Sequence, residues 1–319
     1  MNLSLIAPVH NEVENLPDLY RAIQNTMNQL KLDWEIIFVD DGSTDGSLAI
    51  LTSFVKRDPR HVRVVVFRRN YGQTAAIAAG IDQAVGDIVI LMDADMQNDP
   101  ADIPIMLAKL NEGYDVVSGW RKNRKDTFMT RIIPSRIANG LISWVTGVHL
   151  HDYGCTLKVY RREALTGFRF YGEMHRFIPV YAHAAGAKIA EVVVQHHSRK
   201  HGKSNYGLKR TLKVLLDLLT VKFLLGFSAN PIYIFGGAGI GLIVFSTLTL
   251  LVLAIRRVLF STSVLESPFF QISVMLFVLG FQSILMGLIA ELLMRTYHEA
   301  LGKAPYTIRE VINAKPKRD

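Results

Sequence analysis

The chain has 319 residues, half of them hydrophobic, and its mean hydropathy of +0.21 is high for a water-soluble enzyme. An excess of 36 Lys and Arg over 28 Asp and Glu gives a net charge of +8, which favours a polyanionic partner such as a lipid head group or a nucleotide. Nucleic acid is not expected as a partner, because no basic run is interleaved with aromatic residues. The single cysteine, Cys155, excludes an internal disulfide, and we expect it to be a small buried residue.

Strand-like and helix-like patterns alternate over the first two hundred residues. Apolar runs predict strands at residues 3–7, 34–39, 62–67, 88–92, 116–118 and 189–194, and helical patterns lie between the first four. This alternation predicts an α/β fold with a mostly parallel sheet that binds ligands at the carboxyl ends of its strands. The first turn lacks the glycines of a dinucleotide-binding fingerprint, so a hydride-transferring enzyme is not expected.

Two carboxylates and an amide follow the fourth predicted strand. They lie in the sequence Asp93-Ala94-Asp95-Met96-Gln97. If the strand stops at Asp93, then Asp93, Asp95 and the Gln97 amide can converge on one cation, and oxygen ligands suit Mg²⁺ or Mn²⁺ rather than zinc. The alternative is a polar turn in which one of the two acids caps the next helix.

Three motifs at strand ends together resemble those of inverting family 2 glycosyltransferases of the GT-A fold. They are Ala7-Pro8-Val9-His10-Asn11-Glu12, Asp40-Asp41-Gly42-Ser43-Thr44-Asp45-Gly46 and the Asp93 to Gln97 stretch. The nearest likeness is to dolichol-phosphate mannose synthase and the bacterial polyprenyl-phosphate glycosyltransferases. The resemblance implies a Rossmann-like GT-A catalytic domain over residues 1–206.

The resemblance also implies a donor site for a nucleotide-diphosphate sugar. Its residues would be Pro8, His10, Glu12, Asp40, Asp41 and Ala94, with the cation held by Asp95, Gln97 and Asp93. Asp41 has the alternative role of bracing its loop. Arg199 opens an Arg-x-x-Gly-x-Ser-x-Tyr loop that would neutralise the leaving diphosphate, and Lys203 replaces the lysine that many relatives carry at Asn205.

An acceptor site is implied on the other side of the reacting sugar. Arg121, Arg131 and Ser135 would hold the acceptor phosphate, although a solvated basic loop is the competing interpretation. Asp152 is the candidate general base, which completes a catalytic set with Asp93 and Asp95. A phosphate has a second pKa of about 6 and is mostly ionised at neutral pH, so Asp152 has the alternative role of orienting groups.

The last third of the chain has the pattern of a membrane anchor. Residues 207–229 are amphipathic and predict an interfacial helix, or else a core helix of the soluble domain. Residues 231–255 and 268–290 predict two transmembrane helices within a hairpin over 230–294, followed by a basic cytoplasmic tail over 295–319. Gly237 and Gly241 would let a helix approach closely, whether the second span or another subunit, and we expect a homo-oligomer.

These features predict a multi-pass enzyme of the inner (plasma) membrane, with no signal peptide and a cytoplasmic catalytic domain. We expect metal-dependent, inverting transfer of a hexosyl group to polyprenyl phosphate, such as undecaprenyl phosphate, with glucose from UDP-glucose as the preferred donor. GDP-mannose and aminoarabinose donors are alternatives, as is a polysaccharide synthase, whose Gln-x-x-Arg-Trp motif is absent. The non-enzymatic alternative is a catalytically silent membrane scaffold or a flippase component. The presence of Asp93, Asp95 and Arg199 argues against a silent scaffold.

Overall fold

The computed structural model describes residues 2–122, 133–166, 174–198, 218, 232–260, 263–299 and 306–314. The chain forms two compact units. One unit combines Met1–Leu219 with Ala304–Asp319, and the other is Thr220–Lys303. The first unit contains the predicted α/β domain, and the second contains the two long apolar segments.

The first unit is built on one sheet, in which the described residues form eight strands. The strands are β1 (Asn2–Val9), β2 (Asp33–Asp40), β3 (Val62–Phe67), β4 (Ile88–Leu91), β5 (Val116–Trp120), β6 (Lys158–Arg161), β7 (Ile189–Val193) and β8 (Ile308–Ile312). Their order is β7-β5-β6-β4-β1-β2-β3-β8. Strands β1 to β3, β4 beside β1, and β7 beside β5 pair in parallel, while β6 and β8 are antiparallel to their neighbours. The predicted mostly parallel sheet is confirmed.

Helices cover the sheet and bury its apolar strands. They are α1 (Leu16–Leu30), α2 (Ser47–Arg57), α3 (Gln73–Gln83), α4 (Ile103–Asn111), α5 (Ile133–Thr146) and α6 (Ile178–Ala184). Helix α1 buries Leu16, Leu19, Ile23 and Met27, a helical spacing that places one apolar stripe on the core. All six residues of β3 are buried. Five are apolar, as expected for a strand covered on both faces, and Arg63 is paired with buried Glu35 at 3.0 Å. The parallel strands β1, β2, β3 and β4 therefore end together at one edge, where polar loops begin.

Strand β8 is a structural feature that the sequence pattern did not predict. The segment over 295–319 was expected to be a basic tail outside the catalytic domain, but Ile308–Ile312 pairs with β3 at the edge of the sheet. Val64 lies opposite Ile312 and Val65 opposite Val311. The side-chain amide of Asn313 donates hydrogen bonds from Nδ2 to the carbonyl oxygens of Pro59 and Val62, at 2.6 and 2.8 Å. The two long helices are thus inserted between two strands of one sheet.

The second unit contains two long helices, α7 (Ile232–Phe260) and α8 (Pro268–Glu299). Within them, Phe235–Phe260 and Pro268–Ala290 are long and apolar enough to cross a membrane. The second range matches the predicted span. The first helix does not stop at residue 255 as predicted, but continues through Arg256 and Arg257 to Phe260.

The two long helices contact each other at Gly239 and Gly280, and the predicted pair Gly237 and Gly241 takes no part in this contact. A Cβ atom on Gly239 would lie 2.5 Å from the Gly280 carbonyl oxygen, whereas nothing lies within 4 Å of one on Gly237 or Gly241. Ser246 Oγ donates to the Ser273 carbonyl oxygen at 2.7 Å and extends this contact. The pair Gly237 and Gly241 lies on the exposed side of α7, because a spacing of four residues follows one face and Gly239 lies on the opposite one.

We expect Gly239→Ala to destabilise the hairpin by about 1–3 kcal/mol, because the added methyl group overpacks the helix contact. Gly237→Ala is the matched control: it makes the same chemical change on the exposed face and raises helix propensity. Thermal unfolding of both purified variants in detergent, followed by circular dichroism, measures the difference. Equal midpoints for the two variants would contradict the assigned helix contact.

Candidate active site

The loops that follow β1 and β2 are joined to each other at the carboxyl edge of the sheet. Parallel pairing sets Pro8 beside Val39 and Val9 beside Asp40. His10 Nδ1 lies 2.9 Å from the Asp41 carbonyl oxygen. The backbone amide of Glu12 donates to Ser47 Oγ at 3.0 Å. The structure therefore brings the predicted donor residues Pro8, His10, Glu12 and Asp40 to one place.

Asp41 is held by the next loop along the sheet. Its Oδ1 accepts a hydrogen bond from the Tyr71 amide at 2.6 Å, and its Oδ2 accepts one from the Gly72 amide at 2.9 Å. Burial raises the pKa of Asp41, and these two amides act in the opposite direction. With 3% exposure, this carboxylate braces the loop over residues 68–72, which is the structural alternative to a direct nucleotide contact.

Asp93 and Asp95 form an acidic centre after β4. Gln73, the first residue of α3, donates from Nε2 to Asp93 Oδ1 at 2.6 Å. Asp95 is 6% exposed, and its Oδ1 accepts a hydrogen bond from the backbone amide of Gln97 at 3.1 Å. Desolvation, followed by the charge of Asp95, raises the pKa of Asp93 to about 6. Two neighbouring carboxylates that repel each other in this way would be stabilised by a divalent cation.

The donor set at this centre fits a hard cation. No group of three or more His, Cys, Asp or Glu side chains that could hold a metal occurs in the described part of the chain. The predicted set of Asp93, Asp95 and Gln97 supplies two carboxylates and one amide, all of which offer oxygen atoms. Mg²⁺ and Mn²⁺ accept such a set and take their remaining ligands from phosphate oxygens or water.

Arg121 and Asp152 form a buried bidentate ion pair. Arg121 Nε and Nη2 donate to the two carboxylate oxygens of Asp152 at 2.7 and 3.0 Å, and the side chains are 8% and 3% exposed. The amide of Gly154 also donates to Asp152 Oδ1, at 3.1 Å. The two residues were predicted to act separately, as a phosphate ligand and a general base. In the structure they neutralise each other, and this favours the orienting role for Asp152.

Lys158 is a buried cation beside this pair that sequence patterns did not single out. It is 3% exposed, and its Nζ donates to the carbonyl oxygens of Tyr153 and Cys155. Burial lowers the pKa of Lys158. The charges of Arg121 and Lys158 both act to lower the pKa of Asp93, so the cations lie close to the acidic centre. Its position in β6 gave no signal in the sequence, because no strand was predicted there.

The segment before Arg199 is attached to the acidic loop. The His197 amide donates to the Gln97 carbonyl oxygen at 2.9 Å, and Asn98 forms a β-bridge with His196. The His197 ring lies 3.0 Å from an Asp99 oxygen, which explains one histidine of this segment without a zinc ion. The chain therefore enters the Arg199 loop next to the acidic centre. Arg199 and Lys203 themselves lie outside the described residues.

Helix α5 presents an apolar stripe to solvent close to the predicted acceptor residues. Ile137, Leu141 and Trp144 lie on one face and are 67%, 38% and 80% exposed. The opposite side of α5 packs on the rest of the first unit, where the side chain of Asn139 donates to the His151 carbonyl oxygen at 2.7 Å. Ser135 lies in the first turns of this helix and is partly buried. Arg131 and nearly all of the predicted helix over 207–229 lie outside the described residues.

Cys155 is fully buried, and burial raises the pKa of its thiol to about 11. We expect the native protein to resist alkylation by iodoacetamide at pH 8, because the thiolate is the reactive form and is scarce below that pKa. The same reagent in urea should label the residue completely. Mass spectrometry of both samples measures the difference, and rapid labelling of the native protein would contradict the burial of this thiol.

Comparison with known proteins identifies the family. The model of "Glycosyl transferase family 2" matches residues 4–168, more than half of the chain. The chain belongs to glycosyl transferase family 2. The motifs that predicted this membership are the ones found at the carboxyl edge of the sheet, so the prediction of a glycosyltransferase is confirmed.

Two relatives of family 2 cover nearly the whole chain. A dodecaprenyl-phosphate galacturonate synthase from Rhizobium johnstonii is 41% identical over 98% of this chain and 94% of its own length. An undecaprenyl-phosphate 4-deoxy-4-formamido-L-arabinose transferase from Pseudomonas fluorescens is 38% identical over 98% of this chain and 91% of its own. Both names denote polyprenyl-phosphate sugar transferases, so the predicted branch is confirmed.

Comparison with solved structures confirms the GT-A fold. Glucosyl-3-phosphoglycerate synthase from Mycobacterium tuberculosis, in complex with Mn²⁺, uridine diphosphate and phosphoglyceric acid, aligns with a TM-score of 0.54 and 19% identity. The alignment covers 69% of this chain and 78% of that one. At this identity the likeness concerns the fold of the catalytic domain.

Proposed function

We propose that this glycosyltransferase moves a sugar from a nucleotide diphosphate to polyprenyl phosphate, with inversion at the anomeric carbon. The similarity over nearly the whole chain to two polyprenyl-phosphate sugar transferases carries this proposal. The exposed apolar face of α5, beside Ser135, supports an acceptor that arrives from a lipid surface. A processive polysaccharide synthase and a silent scaffold have no comparable support from the relatives.

For the sugar, galacturonic acid replaces glucose as the preferred candidate. Three relatives that span 98% of the chain carry galacturonate or 4-deoxy-4-formamido-L-arabinose in their names. The galacturonate relative has the higher identity, 41% against 38%. The formamido-arabinose donor is the second candidate and corresponds to the aminoarabinose alternative. GDP-mannose has no support from these relatives.

In this proposal, residues at the carboxyl edge of the sheet perform four functions in the reaction. The loops after β1 and β2 bind the base and ribose of the donor through His10, Glu12 and Asp40. Asp93, Asp95 and Gln97 hold Mg²⁺ or Mn²⁺, which supplies positive charge to the diphosphate when it is bound. Asp152 orients Arg121 for contact with the acceptor phosphate, and Arg131 and Ser135 complete that site. Arg199 and Lys203 contact the leaving diphosphate.

Asp152 orients Arg121 in this mechanism and does not remove a proton. An acceptor phosphate is already mostly ionised at neutral pH, since its second pKa is about 6. Attack by one of its oxygens on the anomeric carbon therefore needs alignment and charge neutralisation. The departing diphosphate carries the electron pair of the broken bond, and the buried cations near Asp93 stabilise that charge.

The position of β8 supports a membrane hairpin with both flanks on one side. The chain leaves the catalytic unit before α7 and returns to the same sheet at Ile308. An even number of crossings is therefore required, and α7 and α8 supply two helices of sufficient length. We place the catalytic unit in the cytoplasm of a cell whose inner membrane holds α7 and α8, because the flanks carry more Lys and Arg than the turn. A homo-oligomer remains part of the proposal.

A donor panel tests the proposed reaction. Membranes that contain the protein are incubated with undecaprenyl phosphate and labelled UDP-galacturonate, UDP-4-deoxy-4-formamido-L-arabinose, UDP-glucose or GDP-mannose, with Mn²⁺, Mg²⁺ or EDTA. We expect organic-soluble label from UDP-galacturonate in the presence of metal and none with EDTA. Product from the formamido-arabinose donor alone would select the second candidate. No lipid-linked product from any donor would contradict the proposed function.

We expect Asp95→Asn to lower transfer by about 100- to 1000-fold, because a neutral amide stabilises the cation and the leaving diphosphate less well than a carboxylate. Asp18→Asn, on the exposed side of α1, is the matched control and should keep full activity. Initial rates at saturating donor, with thermal unfolding to check folding, make the comparison. A wild-type rate for Asp95→Asn would contradict the assignment of Asp95 as a ligand of the cation.

We expect Asp152→Asn to lower the rate without changing the shape of its pH profile between pH 6 and 9. A general base contributes about 100-fold or more, and its loss makes the rate rise with hydroxide concentration. An orienting residue causes no such slope. Rates across this pH range for wild type and Asp152→Asn distinguish the roles, and a first-order dependence on hydroxide in the variant would identify Asp152 as the base.

A further inference from the structure

The segment that returns from the two long helices contacts more than the edge of the sheet. Before β8 begins, the Thr307 carbonyl oxygen accepts a hydrogen bond from the Arg68 amide at 3.3 Å. The Tyr306 ring stacks on Phe67 with 5.2 Å between ring centroids. The segment therefore lies against the point where β3 ends and the loop over residues 68–72 begins.

Tyr306 also reaches the far end of helix α3. Its hydroxyl donates a hydrogen bond to Asp82 in the last turn of that helix. A hydrogen bond with Thr307 is the main cause that lowers the pKa of the Tyr71 hydroxyl. Phe67 packs edge-on against Tyr71, with ring centroids 5.5 Å apart. Tyr306 thus contacts Phe67 before the loop and Asp82 in the helix after it, while Thr307 contacts Tyr71 within the loop.

The opposite side of the same loop faces the donor site. Its last two amides donate to the carboxylate of Asp41, as described above. Gly42 packs so closely on the loop that an added Cβ would lie 2.6 Å from the Arg69 carbonyl carbon. The next residue, Gln73, donates to Asp93. The loop therefore connects the C-terminal segment to two carboxylates of the catalytic edge.

We propose that Tyr306 and Thr307 position the donor half of the active site by holding the 68–72 loop against Asp41 and Gln73 against Asp93. The inference rests on the proposed function for the identity of the donor. Tyr306 is a positioning residue, since its contacts are with Phe67 and Asp82 and it acts through the loop. The strand that follows the membrane hairpin then has a role in donor affinity in addition to sheet stability.

This arrangement predicts that donor binding and acceptor binding respond differently to a change at Tyr306. Loss of the ring removes the stacking on Phe67 and releases α3 from the C-terminal segment, which frees the amides of Tyr71 and Gly72 from Asp41. On the acceptor side, Arg121 pairs with Asp152, and Asn139 of α5 donates to the His151 carbonyl oxygen. An effect confined to the donor would therefore separate positioning from a general loss of stability.

The test compares Tyr306→Ala with Asn313→Gly in the full-length protein. Asn313→Gly removes the two hydrogen bonds at the other end of β8 and keeps the positive φ of 63° that Asn313 adopts. Hydrogen exchange of the amides of residues 71 and 72 is measured without any ligand. Calorimetry measures the binding of UDP in the presence of Mn²⁺. Steady-state kinetics then give the KM values for donor and acceptor.

For Tyr306→Ala we expect at least tenfold faster exchange at residues 71 and 72, at least tenfold weaker UDP binding and a raised donor KM, with acceptor KM unchanged. Tyr306→Phe keeps the stacking and should restore most of the exchange protection. Asn313→Gly should match wild type in all of these readouts. Unchanged exchange in Tyr306→Ala, or an equal change in Asn313→Gly, would overturn the positioning role. A wild-type protein that binds no nucleotide with metal would instead contradict the proposed donor, whatever the exchange result.

Discussion

The burial of negative charge at one edge of the sheet is the constraint on which the active site depends. Asp40, Asp41, Asp95 and Asp152 are each at most 6% exposed. A carboxylate that loses its water must gain hydrogen bonds or opposite charge, because an unpaired buried charge costs several kcal/mol. The structure meets this requirement with backbone amides at Asp41, an arginine at Asp152 and a glutamine amide at Asp93. The partners of Asp41 and Asp93 are consecutive residues, Tyr71, Gly72 and Gln73, while the partner of Asp152 follows β5, so satisfying the charges also brings these segments together.

The acidic centre differs from the other buried acids. Asp93 and Asp95 repel each other, and desolvation together with this repulsion leaves Asp93 with a pKa of about 6. The surrounding cations, Arg121 and Lys158, offset the repulsion only in part. In the proposed function, a divalent cation would stabilise both the acids and the diphosphate of the donor. The charge balance of this centre would then be completed by the groups that it binds.

The two long helices lie between β7 and β8 along the chain, so the segment that follows them forms part of the sheet. A tail that merely followed the hairpin would leave β3 as an open edge. With β8 in place, the edge of β3 is covered, and the exposed strand edge that promotes aggregation moves to a short strand that carries Arg309 and Glu310. A deletion of all residues after 230 therefore removes part of the catalytic sheet as well as the anchor, and its effects on activity combine two causes.

Local patterns predicted most of the sheet. The first four strands and β5 and β7 were visible because each is a run of apolar residues with polar residues after it, and the acids after β1, β2 and β4 were predicted to meet for the same reason. Strands β6 and β8 were missed. They are short and carry Lys158, Arg161, Arg309 and Glu310, whose charges hide the strand pattern and are accommodated only by neighbours that are distant in sequence.

The amino-acid sequence by itself determined the family, the α/β sheet, the acidic motif at the end of β4 and two helices long enough to span a membrane, because each depends on residues that are close together in the chain. Tertiary structure decided that Arg121 pairs with Asp152, that Gly239 meets Gly280, and that Tyr306 returns to the loop beside Asp41. These contacts join residues between 31 and more than 200 positions apart. Hydropathy and spacing describe the environment that a residue prefers, but only the packed chain selects which partner provides it.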